Sequence, residues 1–97
     1  MGTQHITPAR KVALVIGVNG LPASGQPELR YAEASAARLA ELLARPACGF
    51  ELHGGEPLLG AQATSEAIRT ALLDLARELG PDDLLLISFT GHGVWQT

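Results

Sequence analysis

Lys11-Val-Ala-Leu-Val-Ile-Gly-Val18 decides the fold. After its first residue the run is continuously apolar, rich in Val and Ile, with no alternation of period two. A strand that faces water on one side alternates. A strand buried on both faces does not, and that is the condition of a parallel sheet covered by helices on both sides. Leu84-Leu-Leu-Ile-Ser-Phe89 is a second run of the same kind near the other end of the chain. Between them the period changes. Over Tyr31 to Arg45, residues Ala32, Ala36, Leu39 and Leu43 fall on one face of a 3.6-residue helix, and Pro46 ends it because the residue before a proline avoids the helical region. Phe50 to Leu59 reads as a short extended segment interrupted by Gly54-Gly55. Thr64 or Ser65 can cap a second helix, whose apolar stripe is Ile68, Leu72, Leu75 and Leu79 and whose stop is Gly80-Pro81, with Asp82-Asp83 as the following turn. Asn19-Gly20 closes the first strand, and Leu21 to Arg30, with two prolines and Gly25, is a loop. The order is β-α-β-α-β with short connections, the pattern of an α/β, doubly wound parallel sheet with right-handed crossovers.

The composition bounds the function. Ninety-seven residues make one domain at most. The apolar share of 46% and charged share of 18% are those of a globular chain rather than a disordered one. Ten acids against seven bases leave a net charge of -3, and no Lys/Arg cluster is present. Nucleic acid is therefore not an expected partner. The longest apolar runs have about six or seven residues, against the roughly 20 needed to span a membrane, so no membrane association is expected. Met1 to Arg10 is polar and reads as a flexible leader ahead of a domain over 11-97; it lacks the apolar core of a signal peptide. A single cysteine fits a reducing compartment. The expected location is the cytoplasm.

The turn Gly17-Val-Asn-Gly-Leu-Pro-Ala-Ser-Gly25 is neither G-x-G-x-x-G nor a P-loop, and no helix starts directly after it, so a pyrophosphate would find no helix N-terminus. His5, Cys48, His53 and His92 show no pair at metal-ligand spacing. No metal and no cofactor are expected. The remaining place is the carboxyl end of the last strand, where sites of open α/β sheets collect. Gly91-His92-Gly93 lies there. Flanking glycines permit a sharp turn and close approach of a ligand, and an imidazole held in such a turn can act as a general base. The same three residues also read as a turn histidine between two permissive glycines. The residues alone leave both readings open.

A resemblance bears on that choice. Val12-Ala-Leu-Val-Ile-Gly-Val-Asn19, Leu29-Arg-Tyr-Ala32 with Ala36-Ala-Arg-Leu-Ala-Glu-Leu-Leu43, Leu59-Gly60 with Ala63-Thr64, and Asp82-Asp-Leu-Leu-Leu-Ile-Ser-Phe-Thr-Gly-His-Gly93 together resemble the caspase-like cysteine peptidases, the clan of caspases, metacaspases and their bacterial relatives. The likeness runs over about residues 11 to 95 with its motifs in order. It implies the N-terminal β-α-β-α-β part of a three-layer α-β-α caspase-like domain. It matches His92 to the catalytic histidine, which works with a cysteine thiol that attacks the scissile carbonyl. It matches the backbone N–H of Gly93 to an oxyanion-hole donor, a group worth about 3 to 4 kcal/mol in comparable enzymes.

Departures from the pattern are equally specific. The family's nucleophile follows its histidine by about 50 residues, so the catalytic cysteine is expected downstream of this chain, in the rest of the domain or in a second chain, and the 97 residues alone are expected to be inert. Cys48 lies upstream, beside Pro46 and Gly49, and reads as a small half-buried thiol. Ser35 stands where family members commonly carry the acid that helps form a pocket for a substrate Arg or Lys, and Glu33 points about 200° away on the helix. Trp95 reads either as lining a substrate groove or as packing on other parts of the protein. The expected partner is a protein or peptide substrate. The rival reading is a catalytically dead caspase-like regulatory or interaction module; a third is a small α/β signalling domain in which Gly-His-Gly is only a turn.

Overall fold

The computed structural model describes residues 9–19 and 31–91. Strand β1 (Lys11–Gly17) leads to helix α1 (Ala32–Ala44). Two short strands follow, β2 (Glu51–Leu52) and β3 (Leu58–Leu59), then helix α2 (Ser65–Glu78) and strand β4 (Leu84–Thr90). All strand pairs are parallel. β4 runs along the whole of β1, from Lys11 opposite Leu84 to Gly17 opposite Thr90. With that edge taken, β2 and β3 share the other edge of β1, at Val12–Ala13 and Ile16–Gly17 respectively. They are two halves of one strand broken by a 3₁₀ turn over His53–Gly55, where Gly54 and Gly55 have φ of 75° and 85°. The interruption expected at Gly54-Gly55 is therefore this left-handed turn, which residues with a Cβ rarely adopt.

β1 is the centre of the sheet and is buried over Val12 to Gly17. Its side chains alternate between two cores, as a strand's must. Ala13 and Val15 meet Ala36 and Ala40 of α1, with Leu39, Leu43, Phe50, Leu52, Leu59 and Leu86 around them. Val12, Leu14 and Ile16 meet Ala71 and Leu75 of α2, with Val18, Leu58, Ala63, Ile68 and Leu79. One helix on each face gives the three-layer α-β-α arrangement that the uninterrupted apolar run predicts.

α2 begins at Thr64, whose Oγ1 accepts a hydrogen bond from the N–H of Ala67 at 3.0 Å and so satisfies one of the free donors of the first turn. Its buried stripe differs from the expected one at a single position. Leu72 is 40% exposed, and Ala71 is buried in its stead. The small side chain lets the helix lie close to β1, while Leu72 sits on the flank.

β4 departs further from expectation. Its sequence reads as buried on both faces, and only Leu86 packs into a core. Leu85, Ile87 and Phe89 share the α2-side face with Val12, Leu14 and Ile16 through the register, and they are 37%, 52% and 54% exposed. α2 covers β1 and does not reach over β4. Lesser ties finish the sheet's lower end. Arg10 donates to Glu51 at 2.8 Å, which raises the pKa of its guanidinium. Lys11 donates to the carbonyl of Cys48 and lies 4.7 Å from the centroid of the Phe50 ring.

Candidate functional site

Parallel strands end together, and here the ends meet at a small set of backbone contacts. The ladder between β1 and β4 continues past both strands: the N–H of Val18 donates to the carbonyl of Thr90 at 2.9 Å. Gly91 then lies so close to β1 that a Cβ on it would come within 2.9 Å of the carbonyl oxygen of Val18. A glycine is required there by contact, not by a left-handed φ. Gly91 is the last described residue before His92.

The next residue of β1's extension ties this end to α1. The side-chain Oδ1 of Asn19 accepts the N–H of Glu33 at 2.8 Å, and Glu33 Oε2 in turn accepts the N–H of Asn19 at 3.1 Å. The N-cap position, Tyr31, offers no side-chain bond to the helix. Asn19 takes over the capping from across the loop, in a reciprocal pattern like a capping box whose two halves lie on different elements. The Glu33 carboxylate also sits in the first turn of α1, where the helix dipole favours negative charge. On its other side it packs on Gly60, after β3: a Cβ at Gly60 would lie 2.8 Å from Glu33 Oε1. One rung lower, Gly17 admits α1 to the sheet, since a Cβ there would be 2.5 Å from that of Ala36.

His92, Gly93 and Trp95 fall outside the described residues. Ser35 is exposed on α1. Glu33 meets Gly60 on the β3 side, so the flank about 200° away, which carries Ser35, lies toward β4. Glu33 is engaged by Asn19. Cys48 follows α1 at the opposite end of the sheet, with its carbonyl bonded by Lys11 at the start of β1. Lys11 and Gly17 are the two ends of β1, about 20 Å apart at the usual rise. Cys48 therefore lies far from Gly91. His53 lines a separate open cleft of about 400 Å³ on the α2 side, with Glu56, Gln62, Thr70 and Asp74 among its walls. Among the described residues no group of three His, Cys, Asp or Glu side chains could hold a metal ion, and no helix is long and apolar enough to cross a membrane.

The Asn19–Glu33 pair and the close seat of Gly91 are the features that sequence reading missed. Both residue types carry a signal, an Asn directly after a strand and a Glu in a helix's first turn, but nothing in the spacing joins them.

The chain matches the family described as the caspase domain over residues 10–97. No curated protein and no solved structure matches the chain.

Proposed function

The chain belongs to the caspase-domain family, and on that premise we propose that the intact protein is a cysteine-type endopeptidase acting on protein or peptide substrates. The family as a whole is one of peptidases. The nucleophile is a cysteine outside this chain, in the remainder of the domain or in a second chain. His92 takes the thiol proton, and the thiolate attacks the scissile carbonyl. The N–H of Gly93 donates to the oxyanion that forms. The intermediate collapses as His92 gives the proton to the leaving amine, and water then hydrolyses the thioester with His92 again as base.

The observation that supports this most is the seat of Gly91. The chain leaves β4 for His92 from the carboxyl ends of the central strands, where α/β sheets place their sites. Gly91, the residue before the histidine, lies against Val18 with no room for a side chain. The uncovered side chains Leu85, Ile87 and Phe89 support the second part of the reading. An apolar strand face of this kind is a contact surface rather than a solvated one, which suits a domain completed by further chain carrying the cysteine. The 97 residues alone are then inert, and the site of action is the cytoplasm.

The test is His92→Ala in the intact protein, assayed on a panel of fluorogenic peptides with Arg, Lys or Asp before the cleaved bond. Loss of the base of such a pair costs several orders of magnitude in rate. Near-normal cleavage by a variant with an unchanged melting curve removes His92 from this role. Wild-type protein that holds no cysteine after the next apolar strand and cleaves nothing is the regulatory or interaction module instead.

A further inference from the structure

We propose that Glu33 is a positioning residue for the site: through Asn19 and Val18 it holds the end of β1 against which Gly91 rests, and thereby fixes the line along which the chain runs on to His92. The inference rests on the peptidase reading above and adds a residue to it.

The connection is a continuous series of short contacts. Gly91 is in contact range of the Val18 carbonyl, and Val18 is hydrogen-bonded to Thr90, so β1 and β4 are locked together one residue before the turn. Asn19 follows Val18 directly. Its backbone N–H and its side-chain oxygen are both committed to Glu33. The Glu33 carboxylate lies beside Gly60, where a Cβ would stand 2.8 Å from its Oε1. Glu33 thus joins three elements, the end of β1, the first turn of α1 and the turn after β3, at the level of Gly91. The carboxylate has no ion pair among the described residues. Its partners are a backbone N–H and a glycine, which suits holding a backbone in place.

A cap that served α1 alone would be supplied most simply at the N-cap position itself. Here the N-cap residue, Tyr31, is 74% exposed and makes no side-chain bond to the helix. The capping bond comes instead from the strand next to β4, so that loss of the pair frees β1's end as well as α1's start. A shift of about 1 Å in a catalytic base can cost roughly a hundredfold in rate, and the Glu33 pair is two contacts removed from the residue that precedes His92.

The experiment uses the intact protein with Glu33→Ala, Glu33→Gln and the double variant Asn19→Ala/Glu33→Ala. Two readouts are taken well below the melting temperature: kcat and KM on the best peptide, and the backbone amide resonances of Gly91 and His92 in ¹⁵N-labelled protein. Glu33→Ala is expected to lower kcat by about 10- to 100-fold with KM nearly unchanged, and to move both resonances. Glu33→Gln keeps an acceptor for the Asn19 N–H and restores most of kcat. The double variant falls no further than the worse single one, because both substitutions break one unit. A Glu33→Ala protein with wild-type kcat and unmoved resonances, however much its melting temperature drops, reduces Glu33 to a helix cap and overturns the proposal. If the wild type cleaves nothing, the peptidase reading fails by itself, and the two resonances still decide whether Glu33 holds the path to His92.

Discussion

Gly17→Ala tests how closely α1 is seated on the sheet. A Cβ at position 17 would lie 2.5 Å from the Cβ of Ala36, 3.0 Å from the carbonyl oxygen of Ala32 and 3.3 Å from the Cα of Glu33. Carbon atoms pack at about 3.5 to 4.0 Å, so α1 has to retreat by about 1 Å along its first turns. Two of the three obstacles are backbone atoms, and no rotamer change relieves them. Overpacking of this kind costs about 1 to 3 kcal/mol, and the backbone obstacles put Gly17 at the upper end. In the intact protein, a larger domain in the reading above, that is a fall of roughly 6 to 12 °C in Tm. Thermal unfolding by circular dichroism, checked by urea denaturation with an unchanged m-value, measures it. Ala36→Gly removes the nearest obstacle and sacrifices about 1 kcal/mol of helix propensity. The double variant Gly17→Ala/Ala36→Gly should therefore be more stable than the sum of the single effects predicts. A Gly17→Ala protein that melts with the wild type, or two substitutions whose effects simply add, would mean that α1 does not approach β1 as described.

Two other outcomes are expected. In the intact protein Ser35→Asp should raise cleavage after Arg or Lys relative to other residues, because a buried guanidinium or ammonium needs a carboxylate to offset its desolvation; a wild type that already cleaves strictly after Arg places the pocket's acid elsewhere. Cys48→Ser should leave peptide cleavage intact, since Cys48 sits at the far end of the sheet, and cleavage that vanishes with it would make Cys48 the nucleophile.

The sequence spoke most clearly where one physical cause acts alone. β1 is legible because burial on both faces leaves no alternation, and the break between β2 and β3 is legible because two adjacent glycines mark a left-handed turn. Leu72 was misplaced because a stripe of leucines is a statement about hydrophobicity, whereas the inner line of α2 is set by how close the helix must come, which favours Ala71. β4 shows a different limit. Its pattern is that of a strand covered on both sides, and the exposure of Leu85, Ile87 and Phe89 says only that the described residues do not supply the cover. The Asn19–Glu33 pair spans a loop, and a single contact between residues on two different elements leaves no period to detect. Gly91 was visible as a glycine beside a histidine, but its reason, the Val18 carbonyl at its back, belongs to the tertiary structure.

The central place of β1 has a consequence for the order of folding. Its full-length partner, β4, lies about seventy positions later in the chain, so β1 can complete this ladder only after β4 has emerged from the ribosome. Contacts of such long range are slow to form, because the loop between them must be closed before they stabilise anything. During that interval the continuously apolar Val12 to Ile16 has α1, α2 and the short β2 and β3 to shelter against, and its long β4 edge stays open. It carries no charge and no proline, the composition that invites pairing with another copy. Lys11 and the adjacent Arg10 stand at its entrance, and their like charges on neighbouring chains would oppose stacking in register. The two bases that anchor Glu51 and Cys48 in the finished sheet thus also guard the strand before the sheet exists.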